Sequence, residues 1–308
     1  MTKWTASDIP VRDGRSAVIT GTGGLGFEDA LALARAGSEV IIAGRNPAKG
    51  AEAVARIQGE IPAAMVRFEQ VDLASLRSVA DFCARLREQR NSLDLLINNA
   101  GLMVPPRRQE SADGFELQFA TNYLGHFALT AGLSPLLRAG RNARVVTLSS
   151  VAARSGVIDF DDLNATRHYQ PMRIYSQSKL ACLMFALELD RRSAAGGWGI
   201  ASMAAHPGIA RTDLLHNAPG RRSVTGLARS LLWFLFQPAS QGALSFDNVT
   251  SVLFRAVLWN GQSLGTFDFE NTAAIGGASF QLNASAVPEP ASAGLLGLAG
   301  LALLRRGR

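Results

Sequence analysis

Between Ser16 and Ala205, six short apolar runs alternate with five stretches of helical length. The runs are Ala17–Thr20, Glu39–Ala43, Met65–Val71, Leu93–Asn98, Ala143–Leu148 and Ile200–Ala205. They are continuous in apolarity rather than alternating, which is the mark of strands buried on both faces. The intervening stretches Leu25–Ala36, Pro47–Gln58, Ser75–Gln89, Asp113–Arg138 and Arg173–Ala195 have amphipathic spacing. Strands joined by covering helices predict an α/β fold with a doubly wound parallel sheet. The fixed hand of β-α-β crossovers leaves few topologies to consider.

Composition narrows the function classes. The chain is 308 residues long, 47% hydrophobic and 18% charged, enough apolar material for one large domain plus an appendage. Its net charge is +6, nearly all of the basic side chains are arginines, and no basic run exceeds two residues. Without aromatics among those charges, nucleic acid is not an expected partner. Cys83 and Cys182 lie far apart in apolar stretches and read as buried thiols. The four histidines lack metal-ligand spacing, so no metal site is expected. Met1–Pro10 is polar and short and does not read as a secretory signal, which points to a cytoplasmic domain.

After Pro207 the text changes. Val224–Phe236 is strongly apolar and helical in spacing, suiting either a lid or a core helix. Beyond it, Ser251–Trp259, the pair Asn260-Gly261 and Ser263–Phe269 predict a β-hairpin. The expected organisation is a domain over 1–243, a β-like appendage over 244–286 and a terminal segment over 287–308.

Thr20-Gly21-Thr22-Gly23-Gly24-Leu25-Gly26 follows the first strand and opens the first helix. Gly21, Gly23 and Gly26 satisfy G-x-G-x-x-G, whose missing side chains let the backbone approach a pyrophosphate at a helix N-terminus. The second strand ends at Gly44-Arg45-Asn46, with no acidic residue to receive a ribose 2′-hydroxyl. Arg45 suits a 2′-phosphate, so NADP(H) is expected ahead of NAD(H).

Tyr175-Ser176-Gln177-Ser178-Lys179 places a phenol and an ammonium at i and i+4 on one helix face. A free phenol is too weak an acid to exchange protons readily near neutrality. A cation about 4–5 Å away favours the phenolate by roughly 3–4 kcal/mol at an effective dielectric near 20. That assistance is what an acid/base working at neutral pH requires.

From about Gly14 to Ala243 the chain resembles the short-chain dehydrogenase/reductase family. The matching pieces run in order: the glycine turn, Asp72-Leu73, Asn98-Asn99-Ala100-Gly101, Asn122, Ser149-Ser150, Tyr175 with Lys179, and Pro207-Gly208 with Thr212. The segment Thr121–Phe127 (TNYLGHF) is similar to the retinol dehydrogenase and protochlorophyllide reductase-like branch. The resemblance implies a Rossmann fold and hydride transfer between NADP(H) and an apolar alcohol or carbonyl compound. It implies Tyr175 as acid/base and Lys179 as its activator and a ligand of the nicotinamide ribose. It further implies Ser150 bonding the substrate oxygen and Asn122 holding a water in a relay to Lys179. Gly21 to Gly26, with Thr22, Gly23, Gly24 and Leu25 between them, would line the cofactor together with Arg45. Asp72, Leu73, Asn99, Ala100 and Gly101 would meet its adenosine half, and Pro207, Gly208 and Thr212 its nicotinamide end. Two departures stand out. The glycine turn is one residue shorter than the family's, which predicts an altered bend. The 24 residues between Ser150 and Tyr175 exceed the family minimum, and Asp159–Asn164 reads as a loop at the pocket mouth.

Val287-Pro288-Glu289-Pro290, the apolar run Ala291–Leu304 and the terminal arginines resemble a bacterial PEP-CTERM sorting signal. That resemblance implies membrane association and sorting by an exosortase. It also raises an alternative, a membrane- or surface-sorted protein whose nucleotide-binding domain is vestigial. A homodimer is left open.

Overall fold

A computed structural model describes residues 9–207, together with the backbone of four short strands beyond them. The elements run β1 (Ser16–Thr20), α1 (Leu25–Arg35), β2 (Glu39–Gly44), α2 (Pro47–Glu60), β3 (Val66–Gln70), α3 (Leu76–Gln89) and β4 (Leu95–Asn98). A short turn α4 (Leu117–Phe119) leads through a π-helical turn, Ala120–Leu124, into α5 (Gly125–Arg138). Then come β5 (Ala143–Leu148), a 3₁₀ turn over Val151–Ser155, α6 (Pro171–Gly196) and β6 (Ile200–Ala205).

The six strands form one parallel sheet in the order β3-β2-β1-β4-β5-β6. Side chains divide between its faces with the period of two that a strand imposes. Ala17, Ile19, Val40 and Ile42 face α1 and α2, in a cluster with Phe27, Leu31 and Ile57. Val18, Ile41 and Ala43 face the other way, against Phe82 and Leu86 of α3 and Leu129 and Leu133 of α5. The doubly wound expectation therefore holds, and the sheet's apolar continuity is explained by helices on both sides.

Helix boundaries follow local chemistry. Asn46 and Ser75 cap α2 and α3 by accepting from Lys49 N–H and Ser78 N–H at 3.2 and 3.3 Å. Pro171 occupies the first turn of α6, where a missing N–H costs nothing, so this helix starts two residues before the expected Arg173. The expected single helix over Asp113–Arg138 is broken instead into α4, the π turn and α5. Asp113 has another use there, since its carboxylate accepts from Leu76 N–H at 2.8 Å.

Further on, β7 (Ala210–Arg211) pairs in parallel with β8 (Gln237–Pro238). β9 (Phe254–Val257) pairs antiparallel with β10 (Ser263–Phe267), as the hairpin expectation requires. The Asn260-Gly261 turn, the Val224–Phe236 stretch, the boundary near residue 243 and the 287–308 segment lie outside the described residues. Among the described residues no helix is long and apolar enough to cross a membrane.

Phe82 is 1% exposed at the centre of the α3–α5 cluster. Replacing it with alanine should cost about 3–5 kcal/mol by lost transfer energy and a residual cavity. A urea melt that leaves the midpoint unmoved would show that α3 does not seal this face.

Candidate active site

Strand order reverses between β1 and β4, because β1 pairs with β2 on one side and β4 on the other. Open α/β sheets form their crevice outside the carboxyl ends of the strands at such a point. Most of the described residues singled out from the sequence lie on loops and helix turns that leave this edge.

The glycine turn occupies the end of β1. Gly21 N–H donates to Ala43 O at 2.8 Å, and Gly24 precedes α1 with φ 54° and ψ −128°, a conformation that needs glycine. The shorter loop is thus accommodated at Gly24, and α1 still begins at Leu25. Gly26 is required for a different reason. A Cβ there would stand 2.6 Å from Asn99 Nδ2 and 2.7 Å from Gly21 O. The Asn99 amide lies across the turn and donates to Thr20 O at 2.7 Å. Gly21, Gly26 and Asn99 therefore form one interlocked unit, although they come from separate motifs.

Arg45 and Asn46 follow β2 at the surface, with the Arg45 guanidinium exposed and its carbonyl held by Gln70 Nε2 at 3.2 Å. Asp72 closes the turn after β3, its carboxylate accepting from Ala74 N–H at 3.0 Å and its own N–H donating to Ser78 Oγ at 2.9 Å. Leu73 is buried and its carbonyl lies against Gly125, where a side chain would not fit.

That close approach sits at the end of the π turn. Gly125 N–H reaches back to Ala120 O, and the widened turn presents the Asn122 carbonyl to side chains. His126 Nδ1 lies 2.9 Å from it and Cys182 Sγ 3.1 Å. The Asn122 side chain is fastened as well. Its Oδ1 accepts from Leu102 N–H at 2.7 Å, and its Nδ2 donates to Leu102 O and Ser178 Oγ, both at 2.9 Å.

Tyr175 and Lys179 both lie on the buried part of α6, each 4% exposed. The Lys179 ammonium is 5.9 Å from the Tyr175 ring centre and donates to Leu148 O at 3.0 Å. Ser149 Oγ donates to Lys179 O at 2.8 Å, which locks α6 onto the end of β5. Gly101 lies opposite, where a Cβ would be 3.3 Å from Asn122 Oδ1 and 3.6 Å from Lys179 Nζ. Ser150 follows β5, partly buried, its hydroxyl oxygen accepting from Ala152 N–H at 3.2 Å. The structure thus brings Gly101, Asn122, Tyr175 and Lys179 together. Pro207 follows β6, whereas Gly208 and Thr212 lie outside the described residues.

The segment between Ser150 and Tyr175 is irregular after its 3₁₀ turn and is pinned from the helix it precedes. Gln177 Oε1 accepts from Asp159 N–H at 2.9 Å, and Gln177 Nε2 donates to Leu163 O at 3.3 Å. Gln177 was not singled out as functional from the sequence. Neither was His126, which is 2% exposed. Asn122 O only accepts, so Nδ1 carries the proton of the neutral ring. Nε2 is then an acceptor for the Thr20 hydroxyl, 2.9 Å away. A His four residues after a polar Asn on a buried helix face was the available signal.

These side chains meet at the carboxyl edge of a doubly wound sheet. The family profile described as short chain dehydrogenase matches residues 15–222, and the chain belongs to that family. It falls in the retinol dehydrogenase-like branch. Human retinol dehydrogenase 13 is 45% identical over 203 residues, 65% of this chain and 60% of that protein. Human polyprenol dehydrogenase is 40% identical over 241 residues, 76% of this chain and 72% of that one. A solved structure of an uncharacterized protein from Mycobacterium paratuberculosis is 34% identical, with a TM-score of 0.66 over 99% of this chain and 97% of its own. The alignment with the first of these spans under two thirds of the relative's length.

Burial, aided by the nearby Lys179 ammonium, pushes the His126 pKa down to about 4, against the hydrogen bond to Asn122 O, which raises it. The unfolded chain, with an ordinary imidazole, binds a proton between that value and about 6.5 that the folded chain does not. Stability from this group should be complete above pH 6.5 and fall towards pH 4, by about 3 kcal/mol in all. Urea melts across this window should show a shallower slope for His126→Gln than for the parent, and equal slopes would contradict the assignment.

Proposed function

We propose that the chain is an NADP(H)-dependent oxidoreductase that interconverts an apolar alcohol and its carbonyl compound, with Tyr175, Lys179, Ser150 and Asn122 carrying the chemistry. The observation that supports this most is the buried Tyr175–Lys179 pair of α6, beside Gly101 and Asn122 at the carboxyl edge where the glycine turn opens.

The residues present fit a dinucleotide. No side chain caps the N-terminus of α1 behind the Gly21–Gly26 turn, so its N–H groups are left for a pyrophosphate. A nicotinamide cofactor, when bound, supplies or accepts the hydride. Tyr175 takes the hydroxyl proton in the oxidative direction and returns it in the reductive one. Lys179, held by Leu148 O, lies beside that phenol and keeps further donors for a ribose hydroxyl. Ser150 donates to the substrate oxygen. Asn122 fixes the loop through Gly101 by its two bonds to Leu102, and its Oδ1 faces the same side as the Lys179 ammonium, where a relay water would sit.

An apolar substrate is supported by where large hydrophobic side chains stay exposed. Among the described residues there are six, and Val151, Val157, Phe160 and Met172 all lie between Ser150 and Tyr175. Such clustering marks a surface for apolar ligands more than chance exposure does. The curated names of the relatives, retinol and polyprenol dehydrogenases, are of the same character. Arg45 at the end of β2 supports NADP(H) over NAD(H), since a guanidinium pairs with a 2′-phosphate.

Two measurements test these assignments. Tyr175→Phe should lower kcat by at least about 100-fold with NADPH and an apolar aldehyde, the scale of a lost general acid. Turnover equal to the parent would remove Tyr175 from the chemistry. Arg45→Ala should raise KM for NADPH by about 10- to 100-fold, the value of a charge-assisted hydrogen bond, with KM for NADH little changed. An equal rise for both cofactors would leave the 2′-phosphate without a partner here.

A further inference from the structure

His126 lies between the two halves of the site. Its Nδ1–H donates to Asn122 O at 2.9 Å, on the Lys179 side. On the opposite edge of the ring, Nε2 receives the Thr20 hydroxyl, also at 2.9 Å. Thr20 sits at the end of β1, directly before the glycine turn. Its hydroxyl has a single proton, and the neighbouring Ile97 O, at 3.3 Å, is the more distant acceptor. With that proton committed to His126, the oxygen's lone pairs meet two backbone donors, Asn99 N–H at 2.8 Å and Ala100 N–H at 2.9 Å. The Asn99 amide in turn fills the space that Gly21 and Gly26 leave open. A continuous line of hydrogen bonds therefore runs from the π turn to the loop after β4 and the glycine turn.

We propose that His126 is a positioning residue that orients the Thr20 hydroxyl, and through it the Asn99-Ala100-Gly101 strip, so that cofactor affinity depends on an imidazole that touches no cofactor atom. The inference rests on the reading above that a dinucleotide lies along this strip. The logic is directional. Without an acceptor at Nε2, the hydroxyl turns to Ile97 O, its lone pairs leave the two amides, and Asn99 loses its register against the glycines. The ring's other edge is a separate contact, to the Asn122 carbonyl. The two edges can be imitated one at a time. A glutamine side chain reaches the Nε2 position, and an asparagine side chain reaches only Nδ1.

The test is a fluorescence titration of the full chain with NADPH and with NADH, alongside thermal melting without cofactor. His126→Leu should raise the NADPH dissociation constant about tenfold, the scale of one lost hydrogen bond. His126→Gln should restore most of the affinity, and His126→Asn should not. Thr20→Val should match His126→Leu, and the double variant should be no weaker than either alone, because both break the same link. Should His126→Leu fail to fold, Thr20→Ser against Thr20→Val reads the same hydroxyl, with serine recovering the affinity that valine loses. Equal NADPH affinity for the parent and His126→Leu, with only a lower melting temperature, would overturn this inference and leave the oxidoreductase reading intact. Recovery by asparagine instead of glutamine would also overturn it. A parent that binds neither nucleotide would overturn both.

Discussion

Parallel pairing of β1 with both β2 and β4 forces every other feature of the site into place. Because each crossover returns in the same direction, all six strands end on one edge, and the loops of the candidate site leave from there. The reversal at β1 opens the edge between two loops, one before α1 and one after β4. Asn99 then closes the gap from below by bonding Thr20 O. Glycine at 21 and 26 follows from that contact as much as from any ligand, since a methyl group at residue 26 would meet the amide directly.

The second half of the site is assembled by a different rule. Tyr175, Ser176, Gln177, Ser178 and Lys179 are all buried, so this stretch of α6 must satisfy polar groups in every direction. It does so with a division of labour. Lys179 and Ser149 tie the helix to the end of β5, Ser178 meets Asn122, and Gln177 holds the preceding loop. Buried polar groups are tolerable only when such partners exist. The network fixes the helix in rotation as well as position, which keeps the Lys179 ammonium beside the Tyr175 ring and Gly101.

The parallel sheet with helices on both faces was readable because it rests on local signals, and so were the residues proposed for the site. Apolar runs, the glycine turn, the Tyr175–Lys179 spacing and the pieces of the family pattern each occupy a few consecutive residues. The π turn was not readable. Periodicity predicted one helix over Asp113–Arg138, and the π turn ends where Gly125 lies against the Leu73 carbonyl, a contact between distant residues. His126 was missed for a related reason. Its partners are Asn122, four residues earlier, and Thr20, more than a hundred residues earlier, so its polarity looks idle until the two loops are brought together. Arg45 stands exposed after β2 as expected, but a side chain at the surface reveals less of its purpose than one whose partners are fixed.

Gln177 grips the preceding segment only through main-chain atoms, the Asp159 N–H and the Leu163 carbonyl. Main-chain partners are present whatever side chains the segment carries. Its exposed residues, such as Val157 and Phe160, can therefore be exchanged while the grip persists, whereas Ile158 and Leu163 are packed against α6. Over generations, those exposed positions and the Tyr175–Lys179 pair are free to drift at different speeds. A library confined to the exposed positions 157 and 160 would inherit the same grip with each new surface.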